Sequence, residues 1–467
     1  MKLMLSSPIF TLFLSLAITD AFITPNVKPS VVPSSVGLSL SSTCLFAKRD
    51  ISRLAEFANQ HDVQFSPSAE LTLNSGEDYG IKLVKSAQQN ECILSVPKSL
   101  VLDSDKIKRE WFEYLEKPIE YIEGMGLHDS ALNFVLITKV LYENSLGEES
   151  KWYEWIQSLP SSFSTGVCMD EVELECLPPF ALALANFEKQ QLDIFMKAYE
   201  LMKDTSIYTE TDYDLFLWAF NVVITRCWRY VQENEYDELI RPISVPYGDM
   251  FNHKEPPNVM VRDSDDQDRV EFVLTQDIDV SDESEGADLF LSYGLTNPHR
   301  FLTVFGFCDE SMPEVFSQLL FDKQTPELVE LGCNDRSKMV YRCDDGGIST
   351  AVWDCILYTL LAQVPQEQQL FYSAHLEGNL EEKRRFHKKY ALEEALTLRN
   401  HVEATANEFR DLVVKIDAMD DDEKAKHPRI DLIRRHNSFL CGVFDRVKSR
   451  IDERAQKEVL KRRGITS

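Results

Sequence analysis

Residues 245–253 read Val245-Pro246-Tyr247-Gly248-Asp249-Met250-Phe251-Asn252-His253. A Pro-x-Gly turn enters a run in which Asp, Asn and His flank two apolar residues. Such a run forms an Asx-turn or a helix cap. Its amide and imidazole groups also suit a purine edge or an amino-acid moiety. Downstream comes Leu289-Phe290-Leu291-Ser292-Tyr293-Gly294, read as a short strand ending in Tyr-Gly. A tyrosine beside a bare glycine can aim its hydroxyl into a narrow pocket that backbone borders. Thr303-Val304-Phe305-Gly306-Phe307 follows, with aromatic rings on both sides of a second glycine.

Upstream, Ser75-Gly76-Glu77-Asp78-Tyr79-Gly80-Ile81-Lys82-Leu83-Val84 reads as a glycine turn before a strand. No helix start follows it, so it is neither a dinucleotide-binding nor a P-loop fingerprint. Short β-like runs are expected at Ala69–Leu73, Ile81–Val84 and Ile93–Val96, after a helix at Ile51–Asn59. Residues 104–238 read as helices. Leu132, Val135, Leu136 and Val140 set a near-3.6 period in 131–143, and 180–203 and 213–232 are similar. Trp152, Trp155, Trp218 and Trp228 lie here and read as packing between helices. Val270–Leu274 and Leu289–Tyr293 restore the β pattern, with a polar, Asp-rich loop at Arg262–Arg269. Beyond Glu310 the chain reads as helical, with long helices expected over Glu381–Ile416 and from Pro428 towards Arg463.

Composition bounds the function. The 467 residues are 44% hydrophobic, enough for two or three cored domains. The net charge of −28 argues against nucleic acid as the main partner, since phosphate binding needs clustered Lys and Arg. It suits basic protein surfaces or small molecules. Residues 424–467 run against the trend, with 13 basic and 5 acidic residues. The ten cysteines form no Cys-x-x-Cys pair and no zinc-finger spacing, so reduced core cysteines and no metal are expected.

The N-terminus reads as a two-part leader. Residues 1–21 have a lysine and a ten-residue apolar run, Ile9–Ile18, and read as a signal peptide. Residues 22–49 are rich in Ser, Pro, Thr and Val and contain no acid, the transit-peptide signature. With Ala21-Phe22 at the junction, this resembles the bipartite leader of algae with complex plastids. The alternative is an ordinary secreted protein. No other apolar run reaches 18 residues, so no membrane association is expected once the leader is removed.

Taken in order, these segments resemble the SET-domain protein methyltransferases, in particular the plant-type branch that includes Rubisco large-subunit lysine methyltransferase. The glycine turn and Ile93–Pro97 match that branch's opening. Glu149–Pro160 matches its Ser, Trp and Leu-Pro insert motif. Trp218 with Thr225-Arg226 matches its Trp…Ser-Arg helix. Asp249–His253 matches its Asp-x-x-Asn-His, and Ser292-Tyr293-Gly294 with Gly306-Phe307 matches its Ser-Tyr-Gly…Tyr-Gly-Phe. The chain departs from the pattern at Thr225, at Phe305 (usually Tyr) and at Asp78-Tyr79 in the glycine turn.

The resemblance implies an α+β fold. A β-rich SET domain over 50–310 carries a helical insert at about 104–240, and an all-α, substrate-binding-like domain follows over 311–467. It implies S-adenosylmethionine as methyl donor and a protein acceptor, most often lysine. Tyr293 is implied as the catalytic residue. Glu77, Tyr79, Gly80, Arg226, Asn252 and His253 are implied at the donor, with Arg226 pairing a carboxylate. Asp249 and Phe305 support the loop or the substrate side. Histidine methylation and a non-catalytic SET-like interaction protein are the alternatives. The monomer is the favoured state.

Overall fold

The computed structural model describes residues 50–464, except 74–78, 234–237, 265, 267, 283–284, 295–296, 320, 322–323 and 334. The leader, residues 1–49, and Glu77 therefore lie outside the described residues. These described residues divide into two compact units: 50–167 with Phe187–Tyr293, and Cys168–Asn186 with 294–464.

In chain order the first unit contains strands β1 (Gln64–Phe65), β2 (Ala69–Leu73), β3 (Tyr79–Leu83), β4 (Cys92–Pro97), β5 (Leu102–Asp103), β6 (Trp228–Glu233), β7 (Glu238–Ser244), β8 (Asn252–His253), β9 (Val259–Asp263), β10 (Arg269–Leu274), β11 (Ala287–Asp288) and β12 (Phe290–Leu291). They form small sheets in the orders β1-β4-β10-β9, β11-β3-β2 and β5-β7-β6, and the pair β12-β8. All pairings are antiparallel except β12 with β8, which is parallel. In β4, Ile93, Leu94 and Val96 are buried, as expected of a strand covered on both faces.

The helices of this unit pack round aromatic contacts. Phe195 lies 5.7 Å from Phe134 and 6.1 Å from Phe220, joining three helices. The helix Tyr213–Arg226 starts on Asp212, whose carboxylate accepts from the Leu215 amide at 2.8 Å. It ends at Arg226, not at 232 as periodicity suggested, and the chain turns into the β6–β7 hairpin. Arg262, Asp263 and Arg269, read as loop, are in β9 and β10. Arg269 is held there by Ser95 and Asp62, through bonds of 2.7 Å and 2.8 Å.

The second unit is helical, as expected, and also contains an antiparallel pair, β13 (Glu314–Phe316) with β14 (Val340–Arg342). The expected 381–416 helix is two, Leu380–Lys389 and Ala391–Asp417, broken at Tyr390. The helix Ile430–Arg462 packs along Ala391–Asp417, with Leu398, Val402, Phe409, Leu440, Phe444 and Val447 buried in one core. Among the described residues, no helix is long and apolar enough to cross a membrane.

Candidate active site

The 245–253 stretch folds as a buried turn. Val245, Tyr247, Met250 and Phe251 are all buried and anchor it, while the Asp249 amide donates to the Val245 carbonyl at 3.1 Å. The turn sits against Phe272 of β10, whose ring stacks on Phe251 with centroids 5.1 Å apart. Gly248 is dictated by this approach, because a Cβ there would overlap the Phe272 ring and crowd Trp228. The Tyr247 hydroxyl donates to the Leu54 carbonyl and ties the turn to the first helix, Ile51–Gln60.

Packing thus forces Asp249 inward, where its side chain has no exposed surface. Its carboxylate accepts from the Trp155 indole at 3.2 Å and pairs with Arg226 at 3.4 Å. The same Arg226 nitrogen donates to the Asp249 carbonyl at 3.1 Å. Burial pushes the Asp249 carboxyl up, against the opposing pull of Arg226 and Trp155. Arg226 is therefore paired with a carboxylate from the last turn of its helix. Trp155 was read as packing alone. Its indole N–H, a polar handle on a fully buried ring, was the available signal.

From the turn the chain enters β8. Asn252 lies opposite Phe290 and His253 opposite Leu291. Asn258 staples β12 in place, donating to the Asp288 carbonyl at 3.0 Å and accepting from the Phe290 amide at 2.7 Å. The Tyr293 amide donates to His253 Nδ1 at 3.0 Å, and the same nitrogen lies 3.3 Å from the Leu291 carbonyl oxygen. The Tyr293 hydroxyl donates to the Phe251 carbonyl at 2.8 Å. The His253 and Tyr293 rings lie 5.1 Å apart. Phe251 and Asn258 are positioning residues that pattern reading did not single out in these roles.

Strand β3 carries Tyr79 and Gly80, both buried. It packs beside the Gly248–Met250 turn, and its Ile81 carbonyl accepts from the Leu289 amide at 3.1 Å, next to β12. One unit therefore brings together Tyr79, Gly80, Arg226, Asp249, Asn252, His253 and Tyr293. Phe305 falls in the other unit. It closes the helical turn Phe301–Phe305, against the Phe301 and Phe307 rings, before Gly306 at φ 79°. Among the described residues, no group of three His, Cys, Asp or Glu could hold a metal.

The fold is that of SET-domain proteins. The chain superposes on the SET domain of LSMT bound to lysine and AdoHcy with a TM-score of 0.55 at 13% identity, covering 88% of this chain and 92% of that one. For Rubisco LSMT bound to AdoMet the TM-score is 0.55 at 14% identity, covering 89% and 97%. Curated relatives are SET-domain methyltransferases and a SET domain-containing protein. The ribosomal lysine N-methyltransferase set10 of Schizosaccharomyces pombe is 25% identical over 225 residues, which is 47% of this chain and 38% of that protein. SET domain-containing protein 4 of Homo sapiens is 23% identical over 252 residues, 51% and 54% of the two chains. The actin-histidine N-methyltransferase of Rattus norvegicus is 24% identical over 244 residues, 50% and 38%. The matched region spans about two fifths to about half of these relatives' lengths. No protein-family model matches the chain.

Proposed function

We propose that the chain is an S-adenosylmethionine-dependent protein methyltransferase acting on lysine, with Tyr293 as the catalytic residue. The observation that carries this reading is the β8–β12 pair, which sets Asn252-His253 beside Tyr293 in one unit. The likeness to SET-domain methyltransferases supports it. The residues present fit the donor. The Asn252 amide is exposed and has no hydrogen-bond partner among the described residues, and Gly80 offers backbone without a side chain. Asn252, His253, Tyr79, Gly80, Arg226 and Glu77 would hold it. When bound, S-adenosylmethionine supplies an electrophilic methyl group on a cationic sulfur.

The rest falls to the chain. A lysine amine has a reference pKa near ~10.4, so it must lose a proton before it can attack. A narrow site beside a positive charge disfavours the ammonium through desolvation and like-charge repulsion. Tyr293 orients the neutral amine. Its hydroxyl donates to the Phe251 carbonyl at 2.8 Å, which fixes the direction of an oxygen that can also accept from an amine N–H. Fixing that amine in line with the methyl group supplies the proximity term. Asp249 braces Arg226 and the turn. We extend the proposal to a SET segment over 50–310, a substrate-binding-like domain over 311–467, and a plastid destination directed by 1–49. A basic protein surface suits the chain's negative charge.

The test is to incubate the chain with labelled S-adenosylmethionine and plastid extract, then hydrolyse the labelled band. Methyl-lysine supports the reading; donor binding without any labelled protein counts against it. The second reading, a histidine acceptor, is favoured by the likeness to actin-histidine N-methyltransferases. The two differ in pH dependence. A lysine acceptor gives a rate that climbs with pH above about 7, while a histidine acceptor, already neutral there, gives a flat one. For the leader, a fusion of 1–49 to a fluorescent protein should enter the plastid of such an alga, and fluorescence in the medium would reject that destination.

A further inference from the structure

Tyr247 holds a backbone conformation that its side chain disfavours. Its φ is 69° and its ψ −39°, outside the left-handed helical basin, where ψ is positive. Asp62 and Asn90 also take positive φ, but those residue types tolerate it, and a bulky tyrosine rarely does. Such a residue persists only where its surroundings fix it. Three contacts do so here. The hydroxyl donates to the Leu54 carbonyl, the ring stacks on Phe57 with centroids 6.2 Å apart, and it meets the Phe65 ring edge-on at 5.7 Å. Leu54 and Phe57 belong to the helix Ile51–Gln60, and Phe65 to β1.

The bend at Tyr247 starts the turn that carries the site. Its carbonyl accepts from the Met250 amide at 3.0 Å, and Asn252-His253 follow directly. The helix Ile51–Gln60 reaches the same turn by a second route. It packs on the helix Tyr153–Ser158, with Arg53 3.7 Å from Glu154. That helix carries Trp155, whose indole donates to Asp249 at 3.2 Å. A glycine at 247 would take the same φ at no steric cost, but nothing would then select it or tie it to the helix. We propose that Tyr247 is a positioning residue for methyl transfer. Anchored on the first helix, its strained backbone sets the turn so that Asn252 and His253 meet the donor. The proposal rests on the methyltransferase reading above.

The experiment compares the full wild-type chain with Tyr247→Phe, which keeps the ring and removes only the hydroxyl. The control is Ile122→Val, which trims a buried side chain in the helix Phe112–Gly124. Calorimetry well below the melting temperature gives the affinity for S-adenosylmethionine. Hydrogen exchange gives the protection of the Asp249 and Met250 amides, both bonded within the turn. Tyr247→Phe should bind the donor about tenfold more weakly, the upper scale of one hydrogen bond's net worth. It should exchange faster at those two amides, while the amides of the helix Phe112–Gly124 keep their protection. Ile122→Val should lower the melting temperature and leave donor affinity as in the wild type. Unchanged donor affinity in Tyr247→Phe, or an equal loss in both variants, would overturn the proposal and leave the methyltransferase reading standing. A folded wild type that binds no donor would remove that reading and the proposal with it.

Discussion

Replacing Asp249 with alanine should be one of the most destabilising single changes in the first unit. The carboxylate has no exposed side-chain surface, and its partner Arg226 retains 19%. The change strands two groups, the Arg226 guanidinium and the indole N–H of the fully buried Trp155. Removing one partner of a buried pair costs about 3–5 kcal/mol. Arg226 keeps its bond to the Asp249 carbonyl and some contact with water, which places the loss near the lower end, about 3 kcal/mol. Asp249→Asn keeps an acceptor for Trp155 and leaves no buried charge to compensate, so it should be clearly less destabilising than Asp249→Ala. Burial raises the folded carboxyl above its ordinary 3.8, so the wild type loses stability as pH rises from 3.8 through the raised value. Asp249→Asn should lack that loss. Urea unfolding of the three proteins at several pH values measures all of this. If Asp249→Ala stays within about 0.5 kcal/mol of the wild type with an unchanged slope, the contact carries no such weight and the argument fails.

Three further outcomes are expected. His387 is held at about 9 against 6.5, because its bonds and charges with Asp354 and Glu394 outweigh its burial. Its contribution, of order 3 kcal/mol, should be complete below pH 6.5 and lost as pH climbs to about 9, and His387→Gln should flatten unfolding free energies across that window. Gly248→Ala should cost about 1–3 kcal/mol by overpacking against Phe272 and Trp228, read from the denaturation midpoint. Tyr293→Phe removes only a hydroxyl, so the methyl-transfer rate should fall by roughly 10²-fold or more while donor affinity stays within a few-fold. Full activity in that variant would mean that another group orients the acceptor.

The sequence displayed the elements whose signal is local. Ala69–Leu73 matches β2 residue for residue, and the helix expected from residue 213 does start at Tyr213. The Asp249–His253 motif announced itself because its polar residues interrupt an apolar run. What stayed hidden depends on distant partners. Residues 228–232 continue the apolar spacing of a helix, yet they form β6 because β7 pairs with them, Trp228 opposite Ile243. The parallel strands β8 and β12 are two residues each, too short for any period to register, and their pairing joins segments far apart in the chain. The break at Tyr390 leaves the three-and-four spacing intact on both sides, so periodicity ran through it. Arg226 with Asp249 was anticipated only as an arginine near some carboxylate. Trp155 as the third member needed the fold.

The most direct test of the account is a calorimetric titration of the chain with S-adenosylmethionine and with its demethylated product. The account predicts saturable binding of both at one site, weakened in Asn252→Ala, whose exposed amide is free to meet a ligand. Absence of binding to either molecule by the folded wild type would contradict it.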